Sequence, residues 1–87
     1  MLIEWNEEKD KWLKEERGLS FADIALEIKR GNYSLRPNPN RIGQVAFITE
    51  LPNIKHKIFV PAVVTEKGYF LKTAYQSRKE TKRSLNL

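Results

Sequence analysis

"SFADIALEIKRGNYSLR", residues 20–36, carries the chain from one hydrophobic period to another. Phe21, Ile24, Ala25 and Ile28 stand at i, i+3, i+4 and i+7, one apolar helix face. Ser20 is placed to cap that helix, Asp23 takes the capping-box position, and Leu19 and Ile24 form a hydrophobic staple. Lys29, Arg30 and Gly31 close it. From Asn32 onward the helical spacing is gone, and "NYSLR" reads as a short strand. A helix that yields directly to strand patterns in an 87-residue chain predicts one α+β domain spanning residues 1–87.

Upstream, "LIEW" (2–5) is a short apolar strand. Asn6 is the expected cap of a polar helix over "NEEKDKWLKEER", with Glu7 and Glu8 where the helix dipole favours acids. Trp12 and Leu13 are its expected buried contacts, Trp5 is read as core, and Gly18 ends the helix. Downstream, "PNPN" (37–40) is a turn cluster, and "QVAFITE" alternates. "KIFVPAVVT" places Ile58, Val60, Ala62 and Val64 on one face, with Pro61 predicting an edge position or a bulge. "EKG" then turns the chain, with Gly68 expected at a bulge, into a last strand "YFLKTAY". Ser77 caps a final helix, and Glu80 completes its capping box. "RSLNL" reads as a helix end or a docking segment. The predicted order is β-α-α-β-β-β-β-α, two helices on an antiparallel sheet of four to five strands in two layers, with a C-terminal helix.

The chain has 40% hydrophobic and 31% charged residues, and no cysteine, which fits a globular domain in a reducing, cytoplasmic setting. Its first residues lack the pattern of a signal peptide, and no apolar run is long enough to span a membrane. Charge is divided unevenly. Residues 1–31 hold six Lys or Arg against eight Asp or Glu, a balance of −2. Residues 32–87 hold ten against three (Glu50, Glu66, Glu80), a balance of +7. Such asymmetry points to a polyanionic partner, nucleic acid first.

Metal-assisted catalysis is poorly supplied, because carboxylates are sparse in the basic half and His56 is the only histidine. No Gly-rich phosphate loop is present, so no cofactor is expected. His56 reads as a turn residue on a polar connection. The densest cationic stretch is "FLKTAYQSRKETKR" (70–83), with five basic residues and one acid. Lys72 at the strand end, with Ser77, Arg78 and Lys79 at the helix start, forms a candidate phosphate site. The competing reading is a basic, solvated terminal helix. Lys82 and Arg83 are placed to follow a phosphate backbone, Tyr75 to stack on a base, and Arg41 to reach a groove from the loop after "PNPN". Arg and Lys clusters supply the electrostatic stabilisation that metal-free RNA cleavage demands.

Three stretches resemble one family: "IEWNEEKDKWLKEERGLSFADIA" (3–25), "NPNRIGQVAFI" (38–48) and "YFLKTAYQSRKETKR" (69–83). Together they are similar to BrnT-type toxins of bacterial toxin–antitoxin modules, within the RelE-like ribonuclease fold. The resemblance implies a small endoribonuclease that inhibits translation by cutting RNA without metal, held in check by a cognate antitoxin. It puts Lys72, Arg78 and Lys79 on the family's basic strand-end and "SxRK" positions, and Arg41 on its loop arginine. The alternative expectation is a non-enzymatic basic module that grips RNA or an acidic partner segment.

Overall fold

The forecast helix caps form, two of them at the start of the chain's first two helices. Asn6 Oδ1 accepts the Lys9 N–H at 2.9 Å, and Ser20 Oγ accepts the Asp23 N–H at 3.4 Å. The structure is a computed structural model describing residues 1–38 and 40–85, the side chains of 84 and 85 excepted. Pro39 of the "PNPN" cluster, and Asn86 and Leu87 of the "RSLNL" end, lie outside the described residues. The elements are β1 (Leu2–Trp5), α1 (Glu7–Arg17), α2 (Phe21–Lys29), β2 (Tyr33–Pro37), β3 (Gln44–Thr49), β4 (Lys57–Val64), β5 (Gly68–Leu71), β6 (Tyr75–Ser77) and α3 (Arg78–Leu85). This is the forecast α+β order, with the last forecast strand divided into β5 and β6.

The strands run β1-β5-β4-β3-β2 across the sheet, and β6 also pairs with β4. From β2 to β5 the pairing is antiparallel. β1 runs parallel to β5, which makes the sheet mixed.

The division of the last strand has its cause in β4. Pro61 does not lie on an edge strand, since β4 is central and bonded to β3 along one side. The forecast bulge is present: Lys72, Thr73 and Ala74 stand against Val60 and Pro61, one extra residue. Along its other side β4 pairs with β5 through Ala62–Val64 and with β6 through Lys57–Phe59. The Pro61 carbonyl accepts the Lys72 N–H at 2.8 Å, but proline has no N–H to return. The ladder therefore stops at Lys72 and resumes at Tyr75. Inside the gap, Arg17 of α1 donates to the Ala74 carbonyl at 2.8 Å and to Thr73 Oγ1 at 3.4 Å. A buried backbone oxygen that the ladder abandons thus receives a charged donor instead.

Side chains alternate along each strand, so Phe47, Ile58, Val60, Ala62 and Leu71 form one sheet face. Leu13 and Leu19 together with Phe21, Ile24 and Ile28 of α2 complete the core on that face. Asp10 is buried between the helices, where it accepts the Phe21 N–H at 2.9 Å and pairs with Lys14 at 3.0 Å. Trp5 stacks on Phe21 with ring centroids 6.0 Å apart. Trp12 departs from its forecast burial. It is 39% exposed, with Lys9 and Arg17 over its ring at 4.1 and 4.9 Å. Leu13 takes the single inward position at this turn of α1, and its neighbour in sequence points about 100° away.

Gly68 is also required for a reason other than the one forecast. A Cβ there would stand 2.0 Å from the Leu2 carbonyl oxygen, so the residue is glycine because β1 passes against it. Gly68→Ala is expected to push β1 off β5. The check is hydrogen exchange of the Leu2–Trp5 amides, which should lose protection while the β3–β4 amides keep theirs.

Candidate nucleic-acid interface

The sheet face turned away from α1 and α2 carries the basic residues. Arg36, Ala46 and Pro61 stand in one cross-strand row, and α3 lies over that face as a partial third layer. Two contacts seat it. The Lys57 N–H donates to Thr81 Oγ1 at 2.7 Å, and Thr81 Oγ1 donates to the Ser77 carbonyl at 2.9 Å. Further along, Arg36 of β2 forks onto the Glu80 carboxylate, with Nη2 to Oε2 at 2.9 Å and Nη1 to Oε1 as the second bond.

The forecast capping box is therefore half formed. Ser77 Oγ accepts the Glu80 N–H at 3.2 Å, but the Glu80 carboxylate turns to Arg36 instead of back to the helix start. Arg83 stands 3.5 Å from the same carboxylate. Hydrogen bonding from Arg36 holds the Glu80 carboxyl below its ordinary 4.5, against the opposing pull of burial, and the charges of Arg36, Arg83 and Lys79 act in the same direction as the bond. That contact likewise raises the Arg36 guanidinium. Arg78 and Lys79 occupy the first turn of α3, where the helix dipole disfavours cations. Glu80, in that same turn, offsets them from inside.

α3 divides the forecast site residues between two hollows. One, of about 390 Å³, is lined by Arg36, Gln44, Ala46, Phe59, Pro61 and Lys72 among others. Arg41 lies in the neighbouring loop, tied through its backbone to Asn38 and Gln44. Tyr75 packs on Phe59 with ring centroids 5.4 Å apart and remains 39% exposed. The other hollow, of about 860 Å³, is lined by Lys55, His56, Arg78, Lys79, Thr81 and Lys82. Lys72 thus does not share a hollow with Arg78 and Lys79, and Ser77 is committed to the helix cap. Arg83 leans toward Glu80.

Strand register explains the second hollow. Antiparallel pairing sets Lys57 opposite Ser77, so residues just before Lys57 meet those just after Ser77. The connection carrying Lys55 and His56 is anchored at both ends. Glu50 pairs with Lys57 at 2.7 Å, Leu51 is buried, and Asn53 makes the turn at φ 66°. Lys55, Arg78, Lys79 and Lys82 are all exposed. Among the described residues, none of these four has a carboxylate within 4.0 Å.

His56 is the residue that sequence reasoning set aside. It is half-buried, and its Nδ1 is buried with no hydrogen-bond partner among the described residues. The available signal was "KHK" leading into β4, but its meaning depends on β6, which the sequence reading had merged into β5. Among the described residues no group of three His, Asp or Glu side chains comes together to hold a metal ion, and no helix is long and apolar enough to cross a membrane. No family model matches the chain, and no curated protein matches it either.

The Arg36–Glu80 pair is asymmetric, because the carboxylate side chain is 7% exposed and the guanidinium side chain 42%. Arg36→Ala takes the forked partner from a buried carboxylate and leaves it Arg83 at 3.5 Å, and is expected to cost about 2 kcal/mol. Glu80→Ala leaves a cation that can turn to water, and should cost about 1 kcal/mol. The Glu80 value is lower folded than unfolded, so its contribution is full above pH 4.5 and is lost as pH falls through the depressed value. Urea midpoints measured across that range should fall in the wild type, and the fall should be shallower in Glu80→Gln.

Proposed function

We propose that this protein is a metal-independent endoribonuclease of the RelE-like toxin kind, working in the cytoplasm and restrained by an antitoxin partner. One observation carries the proposal: four exposed cations without ion-pair partners among the described residues, Lys55, Arg78, Lys79 and Lys82, surround a single hollow. Cations cluster in this way at a cost in mutual repulsion, which a bound polyanion relieves. The order and spacing of the three stretches that resemble BrnT-type toxins give the RNA its place as that polyanion.

In this reading Arg78 stabilises the charge that develops on phosphorus as the 2′-hydroxyl attacks, and its planar fork suits two phosphate oxygens at once. Lys79 and Lys55 hold the phosphate, and Lys82 follows the neighbouring one. Lys72 and Arg41 guide the strand over the first hollow, and Tyr75, half-exposed on Phe59, offers a stacking surface. Electrostatic stabilisation of this kind accounts for roughly 10²- to 10³-fold in rate per well-placed donor.

Among the described residues no carboxylate lines this hollow, which favours a second reading, a module that grips RNA without cutting it. Expression of the wild type should arrest growth and fragment RNA, and Arg78→Ala should do neither while keeping its folded circular dichroism spectrum. With the purified protein in chelator, binding to single-stranded RNA should weaken with salt, with a logarithmic slope of about −3 for four phosphates. Tight, salt-dependent binding that leaves the RNA intact would establish the gripping module and sink the nuclease.

A further inference from the structure

We infer that His56 is the proton-transfer group of the cleavage proposed for this hollow, so the inference rests on that reading. Every other described side chain lining the hollow lacks the means. Arginine does not release its proton in a protein, and lysine ordinarily keeps its own to about pH 10. The Thr81 hydroxyl is committed, accepting from the Lys57 N–H and donating to the Ser77 carbonyl. Imidazole is the side chain that ordinarily exchanges a proton between pH 5 and 8. His56 is the only one in the chain, and it lines the hollow beside Arg78 and Lys79.

Its placement is not that of an ordinary surface turn. Nδ1 is turned inward and buried without a partner among the described residues, which leaves Nε2 as the nitrogen to face a ligand. The ring is held from both sides in sequence. Glu50 fixes Lys57, the Lys57 amide is bonded into α3, and Leu51 anchors the connection in the core. The charged groups around the ring are Lys55 on its own connection, the paired Lys57 and Glu50, and Arg78, Lys79 and Lys82 on α3. Glu80 faces Arg36 on the other side of the helix.

The step balances with RNA alone. Neutral His56 accepts the proton of the 2′-hydroxyl, and the 2′-oxygen forms a bond to phosphorus. The bond from phosphorus to the 5′-oxygen breaks, and the imidazolium returns the proton to that departing oxygen. The products are a 2′,3′-cyclic phosphate and a free 5′-hydroxyl. Nothing is oxidised or reduced, and no water enters.

The test compares wild type, His56→Ala and His56→Gln on a defined single-stranded RNA in chelator. Binding is measured in parallel on the same sequence with 2′-O-methyl riboses, which cannot be cut. Both variants should lose about 10²- to 10⁴-fold in cleavage rate and bind the methylated strand within twofold of wild type. Wild type should show a pH–rate limb that both variants lack, and added imidazole should restore part of the His56→Ala rate. Cleavage within threefold of wild type in either variant, with the pH limb retained, would overturn the role of His56 and leave the nuclease standing. Binding lost in proportion to cleavage would make His56 a structural or gripping residue and overturn the inference as well. A wild type that leaves RNA intact removes the nuclease and this step together.

Discussion

A missing N–H organises this sheet. Because Pro61 accepts one hydrogen bond from Lys72 and returns none, β4 cannot carry a single long partner along that side. It takes two short ones, β5 and β6. Thr73 and Ala74 step out of the ladder, and Arg17 satisfies the carbonyl of Ala74 left behind. Were β5 to continue unbroken, the chain would leave the sheet in another register. β6 sets Ser77 opposite Lys57, and that pairing delivers α3 to the start of β4 with its first turn beside Lys55 and His56.

The Arg36–Glu80 fork decides what α3 can present. A helix that opens with Arg-Lys has its dipole against it, and a buried carboxylate in the same turn compensates. Glu80 is occupied by Arg36, so it offsets the helix start without closing over the outward cations. Arg78, Lys79 and Lys82 therefore remain exposed toward the hollow. The charge division seen in the sequence, −2 in residues 1–31 and +7 beyond, becomes a spatial one. Most acids lie on α1 and α2 over one sheet face, and α3 with its hollow lies over the other.

That division also separates two chemistries. The hollow beside β2 and β3 combines apolar side chains with Lys72, Gln44 and Arg36, a surface suited to stacking and guiding. The hollow beneath α3 gathers cations around one imidazole. Phosphate charge and proton transfer are the two demands of metal-free RNA cleavage, and in the proposed reading the second hollow meets both.

Much of the scaffold was legible because it rests on neighbours in sequence. The caps at Asn6 and Ser20, the Gly18 terminus and the buried stripe of α2 follow from spacing and local hydrogen bonding alone. Trp12 was misjudged because a mostly polar helix gives little phase information, and only packing shows that Leu13 takes the inward position. Gly68 looked like a turn glycine, but its need comes from β1, more than sixty residues away. His56 and Arg78 stand far apart in sequence and acquire a shared meaning only through the β4–β6 register. Sequence by itself determined the helices, the strand segments apart from the β5–β6 division, their order and the basic half of the chain, since periodicity, capping and charge are local. Tertiary structure alone decided which cations share a hollow, which acid offsets them and that a histidine joins them, because strand pairing unites residues that no local pattern links.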